Sequence, residues 1–200
     1  TCGFRSGGVN LWDMEQPRGV WGWGASQARR AVSVTALACT AAIGVAFAPI
    51  ATGEPAGYRP ADVPTDPGPP QADHLAAARY LDTHPNAVPV GVNDFGCVPS
   101  ADHPRPIVLV HGTDSSAYSD WAGIGPQLVS AGYCVFALNY GGAPGADTYG
   151  TEDMRIGFAQ LAEFVDDVLA ATGAAKVDLV GFSQGATVSR FYINKLGGAP

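Results

Sequence analysis

The stretch Lys176-Val-Asp-Leu-Val-Gly-Phe-Ser-Gln-Gly-Ala186 decides the fold. Residues 176–181 include Val177, Leu179 and Val180, and the pattern predicts a strand. From Gln184 to about Leu196 the pattern predicts a helix. Ser183 therefore lies at the turn between a strand and a helix, inside the pattern Gly-x-Ser-x-Gly.

Glycine on both sides of the serine is what such a sharp turn requires. A side chain at Gly181 or Gly185 would collide with the neighbouring strand or helix. The turn would hold Ser183 in a strained backbone conformation, with its hydroxyl exposed above the sheet edge. At the start of the helix, the dipole and the free N–H groups favour a developing negative charge. We interpret Ser183 as a nucleophile, and an ordinary glycine-rich turn is the alternative.

Two further strands precede this one. Residues 106–110 and 134–138 are continuous apolar runs, typical of strands buried on both faces of a parallel sheet. A helix is predicted between them over residues 119–131. A second helix follows a glycine-rich loop, and we expect Thr151 to cap it and Gly173 to end it. The order β-α-β-α-β-α predicts an α/β fold, a parallel sheet flanked by helices.

The loop after the first of these strands reads His111-Gly112-Thr113. Gly112 permits a tight turn that would aim the N–H of Thr113 at a substrate carbonyl oxygen, and the N–H of Gln184 would supply a second donor. A plain turn residue is the alternative for Thr113. His111 lies at the foot of this loop, where we expect a structural role.

A nucleophilic serine needs a base, and none follows it in this sequence. All four histidines precede Ser183, and residues 184–200 contain no histidine, aspartate or glutamate. We therefore expect the base and its orienting acid to lie beyond Pro200, and the 200 residues alone to be inactive.

Three segments together resemble the secreted bacterial triacylglycerol lipases of lipase class 2: residues 106–113, 132–141 and 181–185. The resemblance covers about residues 85–200. It implies an α/β-hydrolase fold, here cut after the helix that follows the serine. It also implies action on acylglycerols or other carboxylic esters without a cofactor. Ser183 would be the nucleophile, Thr113 and Gln184 the oxyanion donors, and the family's acid and histidine would follow Pro200.

Upstream of this region we expect two further parts. Residues 52–84 are proline-rich and predict an arm or linker with a short helix over 74–82, before the N-terminal half of the hydrolase domain at 85–200. In an oxidising compartment Cys97 and Cys134 suggest one disulfide, and the pair also resembles that of the family. Two buried thiols are the alternative.

Residues 1–51 predict upstream residues followed by a signal peptide that begins at Met14. Arg29-Arg30 supplies positive charge, residues 31–48 are an uncharged apolar run, and Ala46-Phe-Ala48 is typical of a cleavage site. We therefore expect a secreted protein. An uncleaved membrane anchor is the alternative.

Composition and charge exclude some function classes. The net charge is -7 and no basic run is longer than Arg29-Arg30, so nucleic-acid binding is not expected. The sequence contains no metal-ligand constellation and no phosphate-binding glycine loop, so we expect neither metal nor cofactor. The expected partner is an ester substrate, in which a lipid–water interface can take part, and no obligate protein partner is evident. An acyltransferase or peptidase on the same scaffold, or a non-catalytic secreted binding protein, are the alternatives.

Overall fold

The structure is a computed structural model that describes residues 59–198. The predicted signal peptide and upstream residues at 1–51 lie outside the described residues. Within residues 59–198, no helix has the length and apolar character needed to cross a membrane. The elements in chain order are β1 (Asp66–Gly68), α1 (His74–Leu81), β2 (Ala87–Pro89), β3 (Ile107–Val110), α2 (Ala117–Trp121), α3 (Gly125–Ser130), β4 (Val135–Leu138), α4 (Met154–Thr172), β5 (Asp178–Gly181) and α5 (Gln184–Lys195).

Strands β3, β4 and β5 form a parallel sheet in the order β4-β3-β5. Val110 is in register with Leu138 on one side and with Gly181 on the other. The carboxyl ends of the three strands therefore meet at one edge of the sheet. That edge brings the loop after β3 beside the turn after β5.

Side chains of β3 alternate between two buried faces of the sheet. Val108 and Val110 pack in a core with α4 and α5, whereas Ile107 and Leu109 pack in a second core with α2 and α3. Because both faces are covered, a run without polar residues is stable there, at about 1.5–3 kcal/mol for each fully buried aliphatic side chain. The helices on both faces confirm the predicted α/β class.

The helix predicted over residues 119–131 is not continuous. The structure has two short helices instead, α2 and α3, and Pro126 lies in the first turn of α3. Proline suits a first turn, but inside a continuous helix its ring would clash with the carbonyl of Ala122. The segment 85–105, which precedes β3, contains the short strand β2.

The cap of the long helix α4 lies two residues later than predicted. Asp153, not Thr151, caps it, because the Asp153 carboxylate accepts a hydrogen bond from the N–H of Arg155. The N–H of Thr151 donates to the carbonyl of Gly141 and so belongs to the preceding loop. The helix ends at Gly173 in the left-handed region, as predicted.

The described part of the proline-rich arm lies against the sheet domain. Asp62 forms two backbone hydrogen bonds with Asn139, just after β4, at 3.0 and 2.7 Å. Strand β1 pairs in parallel with β2. The hydroxyl of Tyr118 donates to the carbonyl of Pro69 at 2.6 Å. These contacts attach the arm along its length and hold α1 near α2.

The two cysteines of this region form a disulfide. Cys97, in the loop before β3, is joined to Cys134, the residue before β4, across 37 residues of sequence. The bond therefore ties the loop to the start of the sheet, at the edge opposite the strand ends that carry Ser183.

Candidate active site

Ser183 occupies the tight turn between β5 and α5. Its backbone lies in the left-handed region, with φ 50° and ψ -119°, where a non-glycine residue carries a strain of about 1–3 kcal/mol. The residue is exposed, and its hydroxyl makes no capping hydrogen bond to α5. The strained turn therefore presents a free hydroxyl at the carboxyl edge of the sheet.

The two glycines that flank the serine permit this close packing. A Cβ added to Gly181 would lie 2.6 Å from the backbone nitrogen of Ala186 in α5. A Cβ added to Gly185 would lie only 2.1 Å from the carbonyl oxygen of Val110 at the end of β3. Neither position has room for a side chain, which is the physical reason for the Gly-x-Ser-x-Gly pattern here.

The loop at Gly112 lies directly against the serine turn. A Cβ added to Gly112 would be 3.2 Å from both the Cβ of Ser183 and the Cδ1 of Phe182. The structure thus brings together the three residues that the sequence predicted for one site: Ser183, Gln184 after it, and the loop that carries Thr113.

Hydrogen bonds fix two successive peptide planes of this loop. At the His111–Gly112 peptide, Gly112 N–H donates to Asp120 Oδ2 at 2.8 Å, and the hydroxyl of Tyr140 lies 2.8 Å from the carbonyl oxygen of His111. At the next peptide, the carbonyl of Gly112 accepts from Nδ1 of His111 at 2.8 Å. A trans peptide directs its N–H away from its C=O, so the last contact sets the direction of the Thr113 N–H. Within residues 59–198, that N–H and the Gln184 N–H have no hydrogen-bond acceptor.

His111 is fully buried and neutral. Its Nδ1–H donates to Gly112, so its Nε2 accepts the N–H of Tyr140 at 3.2 Å, and its ring stacks on that tyrosine. Burial lowers the pKa of His111 to about 4. Both ring nitrogens are engaged, so His111 holds the loop and is not placed to take a proton from Ser183.

The side chain of Gln184 joins the serine turn to the glycine-rich loop after β4. Its Oε1 lies 2.9 Å from the hydroxyl of Tyr140, which shares its proton with the carbonyl of His111. Its Nε2 donates to the carbonyl of Gly150 at 3.1 Å. Burial raises the pKa of Tyr140, so the hydroxyl stays a donor. These hydrogen bonds thus join the serine turn, the Gly112 loop and the glycine-rich loop after β4 behind the candidate site.

A cavity of about 420 Å³ opens in front of Ser183. Its walls include residues from α1, α2, the loop after β3 and the serine turn: His74, Thr113, Asp120, Trp121, Phe182 and Ser183. Phe182 is 57% exposed beside the serine. Within residues 59–198, no group of three side chains able to hold a metal ion is found.

Sequence reasoning missed four residues of this site. Tyr140 and Gly150 flank the glycine-rich loop after β4. A parallel sheet places that loop at the same edge as the Gly112 loop and the serine turn, so the position of the loop after a predicted strand could have indicated these two residues. Asp120 and His74 had no such signal, because 46 residues separate them in sequence. Only the tertiary fold brings α1 against α2.

Comparisons with known proteins agree with this architecture. Residues 105–196 match the family model described as the alpha/beta hydrolase fold. A triacylglycerol lipase of Pseudarthrobacter phenanthrenivorans is 41% identical over 92 residues, which are 43% of this chain and 27% of the relative. A triacylglycerol lipase of Burkholderia plantarii is also 41% identical over 92 residues, 24% of its length. The chain thus spans about a quarter of the curated relatives that it matches. Over residues 105–196 the chain is similar to the α/β-hydrolase fold family and to bacterial triacylglycerol lipases.

Proposed function

We propose that this sequence belongs to a serine hydrolase that cleaves triacylglycerols or related carboxylic esters. The observation that carries the proposal is the strained, exposed Ser183 at the β5–α5 turn, with the Gly112 loop packed against it. The names of the two relatives, both triacylglycerol lipases, support an ester as the substrate. The exposed Phe182 beside the cavity suits an apolar acyl chain and contact with a lipid–water interface.

The reaction would proceed through an acyl-enzyme. The Oγ of Ser183 attacks the ester carbonyl carbon while a base takes its proton, and the carbonyl oxygen becomes an oxyanion. The N–H groups of Thr113 and Gln184 would donate to that oxyanion, each stabilising the transition state by about 3 kcal/mol. Collapse expels the alcohol, which receives the proton from the base. Water then hydrolyses the acyl-Ser183 ester by the same steps and releases the acid.

The base and its orienting acid would come from sequence beyond Pro200. Within residues 59–198 no histidine is hydrogen-bonded to Ser183: His111 is buried with both ring nitrogens engaged, and the side-chain hydrogen bond of His74 is to Asp120. We therefore propose that residues 1–200 alone do not turn over esters. Ester hydrolysis by residues 1–200 that is lost on Ser183→Ala would contradict this part of the proposal.

We also propose that the natural protein is secreted through the segment at 14–51. The disulfide between Cys97 and Cys134 supports an oxidising compartment. The intact mass of the protein recovered from the medium tests this directly, because a secreted form should lack the leader.

Kinetics of the full natural protein test the activity. The Ser183→Ala variant should lose at least about 10³-fold in kcat on both a soluble nitrophenyl ester and an emulsified triacylglycerol. Ser130→Ala is the matched control, because Ser130 is an exposed residue of α3 outside the cavity. Adding alcohols or amines to the assay separates a hydrolase from an acyltransferase, since a transferase would form the new ester or amide. A protein that hydrolyses no ester, or whose Ser183→Ala variant keeps its activity, would overturn the proposal.

A further inference from the structure

We propose that Asp120 is a positioning residue for ester hydrolysis: its carboxylate fixes the Gly112 peptide and so aims the Thr113 N–H, while His74 holds the carboxylate. The inference rests on the proposed function of Ser183. It assigns a role to a helix residue and to a residue of the proline-rich arm, neither of which the Gly-x-Ser-x-Gly pattern includes.

Both oxygens of Asp120 are engaged, one on each side. Oδ2 accepts the N–H of Gly112 at 2.8 Å, and Oδ1 lies 2.9 Å from Nδ1 of His74. The Asp120 side chain is only 6% exposed. A carboxylate removed from water in this way needs a hydrogen bond at each oxygen, and a charge-assisted bond is shorter and stronger than a neutral one. The two hydrogen bonds therefore fix the carboxylate from both sides, and Oδ2 holds the N–H of Gly112.

The helix that carries Asp120 is itself rigidly placed. Ser116 and Ser119 form a reciprocal capping box at the start of α2, and Asn139 Oδ1 accepts the N–H of Ala117 at 2.7 Å. Tyr118, also on α2, is completely buried. Asp120 thus approaches the loop from a fixed helix, so a small shift of its carboxylate would transfer directly to the Gly112 peptide.

The opposite end of the same peptide is held by Tyr140. Because Asp120 binds the N–H and Tyr140 the C=O of the His111–Gly112 unit, that plane cannot rotate without breaking one of the two bonds. Rotation there would change the direction of the next peptide, whose N–H belongs to Thr113. Asp120 therefore controls the donor without touching the substrate oxygen.

The negative charge of Asp120 is unfavourable for this reaction. The contribution of Asp120 is therefore to hold the Gly112 peptide in position. A carboxylate beside a developing oxyanion raises the energy of the transition state. The donors on Asp120, from Gly112 and His74, offset part of that effect. An uncharged side chain that accepts the same hydrogen bond from Gly112 should therefore serve about as well.

The test compares Asp120→Ala with Asp120→Asn in the full natural protein. Asp120→Ala removes the acceptor, and we expect kcat to fall by about 10- to 100-fold while KM changes by less than about threefold. The amide oxygen of Asp120→Asn can still accept from Gly112, so we expect kcat within about threefold of the wild type. Asp102→Asn, an exposed site outside the cavity, controls for loss of one negative charge.

A double-mutant cycle tests the part played by His74. We expect His74→Ala to lower kcat less than Asp120→Ala does, and the double variant to be no slower than Asp120→Ala alone, because both changes act through one carboxylate. Additive losses would show that His74 acts independently, which would overturn the shared role.

Three other results would overturn the proposal. The first is full kcat in a folded Asp120→Ala variant. The second is an equal loss in Asp120→Asn and Asp120→Ala, which would assign the effect to the charge. The third, if Asp120→Ala does not fold, is a normal kcat in His74→Ala. Ser183→Ala is measured in the same series. If this variant stays active, the proposed function fails together with this inference. If Ser183→Ala is inactive but Asp120→Ala keeps its full kcat, only this inference is refuted.

Discussion

For the replacement Gly185→Ala, helix propensity and packing predict opposite effects on stability. Gly185 is the second residue of α5, and its φ is not in the left-handed region. Propensity alone predicts that alanine there would stabilise the helix, by up to about 1 kcal/mol. The packing predicts the reverse, because the new Cβ would lie 2.1 Å from the carbonyl oxygen of Val110 and 2.5 Å from that of His111.

The magnitude follows from the size of that overlap. Carbon and carbonyl oxygen come no closer than about 3.3 Å even in a weak C–H···O contact, so α5 must move from β3 by about 1 Å. Both opposing atoms belong to the backbone and cannot rotate away. Overpacking of this kind costs about 1–3 kcal/mol, and we expect the upper end, which leaves a net loss of about 2 kcal/mol after the gain in propensity is subtracted. The same displacement moves Ser183 and the Gln184 N–H, and a misplacement of about 1 Å lowers kcat by about 10²-fold.

Urea unfolding and ester kinetics of the full natural protein measure the two effects. Gly173→Ala is the control: Gly173 ends α4 at φ 66°, and no atom lies within 4 Å of the added Cβ. It should lose about 1 kcal/mol through backbone strain alone and keep its kcat. A Gly185→Ala variant as stable and as active as the wild type would refute the packing argument.

The other predictions concern the disulfide and the buried histidine. Replacing Cys97 and Cys134 together by alanine should lower the free energy of unfolding by about 4 kcal/mol in the chain-entropy model, since the bond spans 37 residues; a loss below about 1 kcal/mol in urea unfolding would contradict it. Burial lowers the pKa of His111 from 6.5 to about 4, so its contribution to stability is present above pH 6.5 and is lost as the pH falls towards 4. That loss is about 2 kcal/mol between pH 7 and pH 5, and an NMR titration that finds the His111 ring charged at pH 5 would refute it.

The strands and their order were predictable because burial on both faces leaves a clear trace in sequence. The apolar runs at 106–110 and 134–138 became the buried strands β3 and β4, and the more polar segment 176–181 became the partly exposed β5; each strand is shortened by one or two residues at its start. The serine turn was predictable for a similar reason, since only glycine fits at 181 and 185.

The parts that could not be predicted depend on contacts between distant segments. The apolar spacing over 119–131 is that of one continuous helix, so it did not predict the interruption between α2 and α3 before Pro126. The proline-rich composition of the arm gave no sign that Asp62 would pair with Asn139 or that β1 would pair with β2. The bond between His74 and Asp120 depends on that attachment, because it requires α1 to lie against α2.

Covalent labelling of Ser183 tests the central claim most directly. The full natural protein is treated with a fluorophosphonate, digested and analysed by peptide mass spectrometry, beside the Ser183→Ala variant. The account predicts one phosphonyl group on the peptide that contains Ser183, loss of ester hydrolysis in proportion to labelling, and no adduct in the variant. Ester hydrolysis that continues with Ser183 unlabelled, or an adduct on a different serine that abolishes activity, would contradict it.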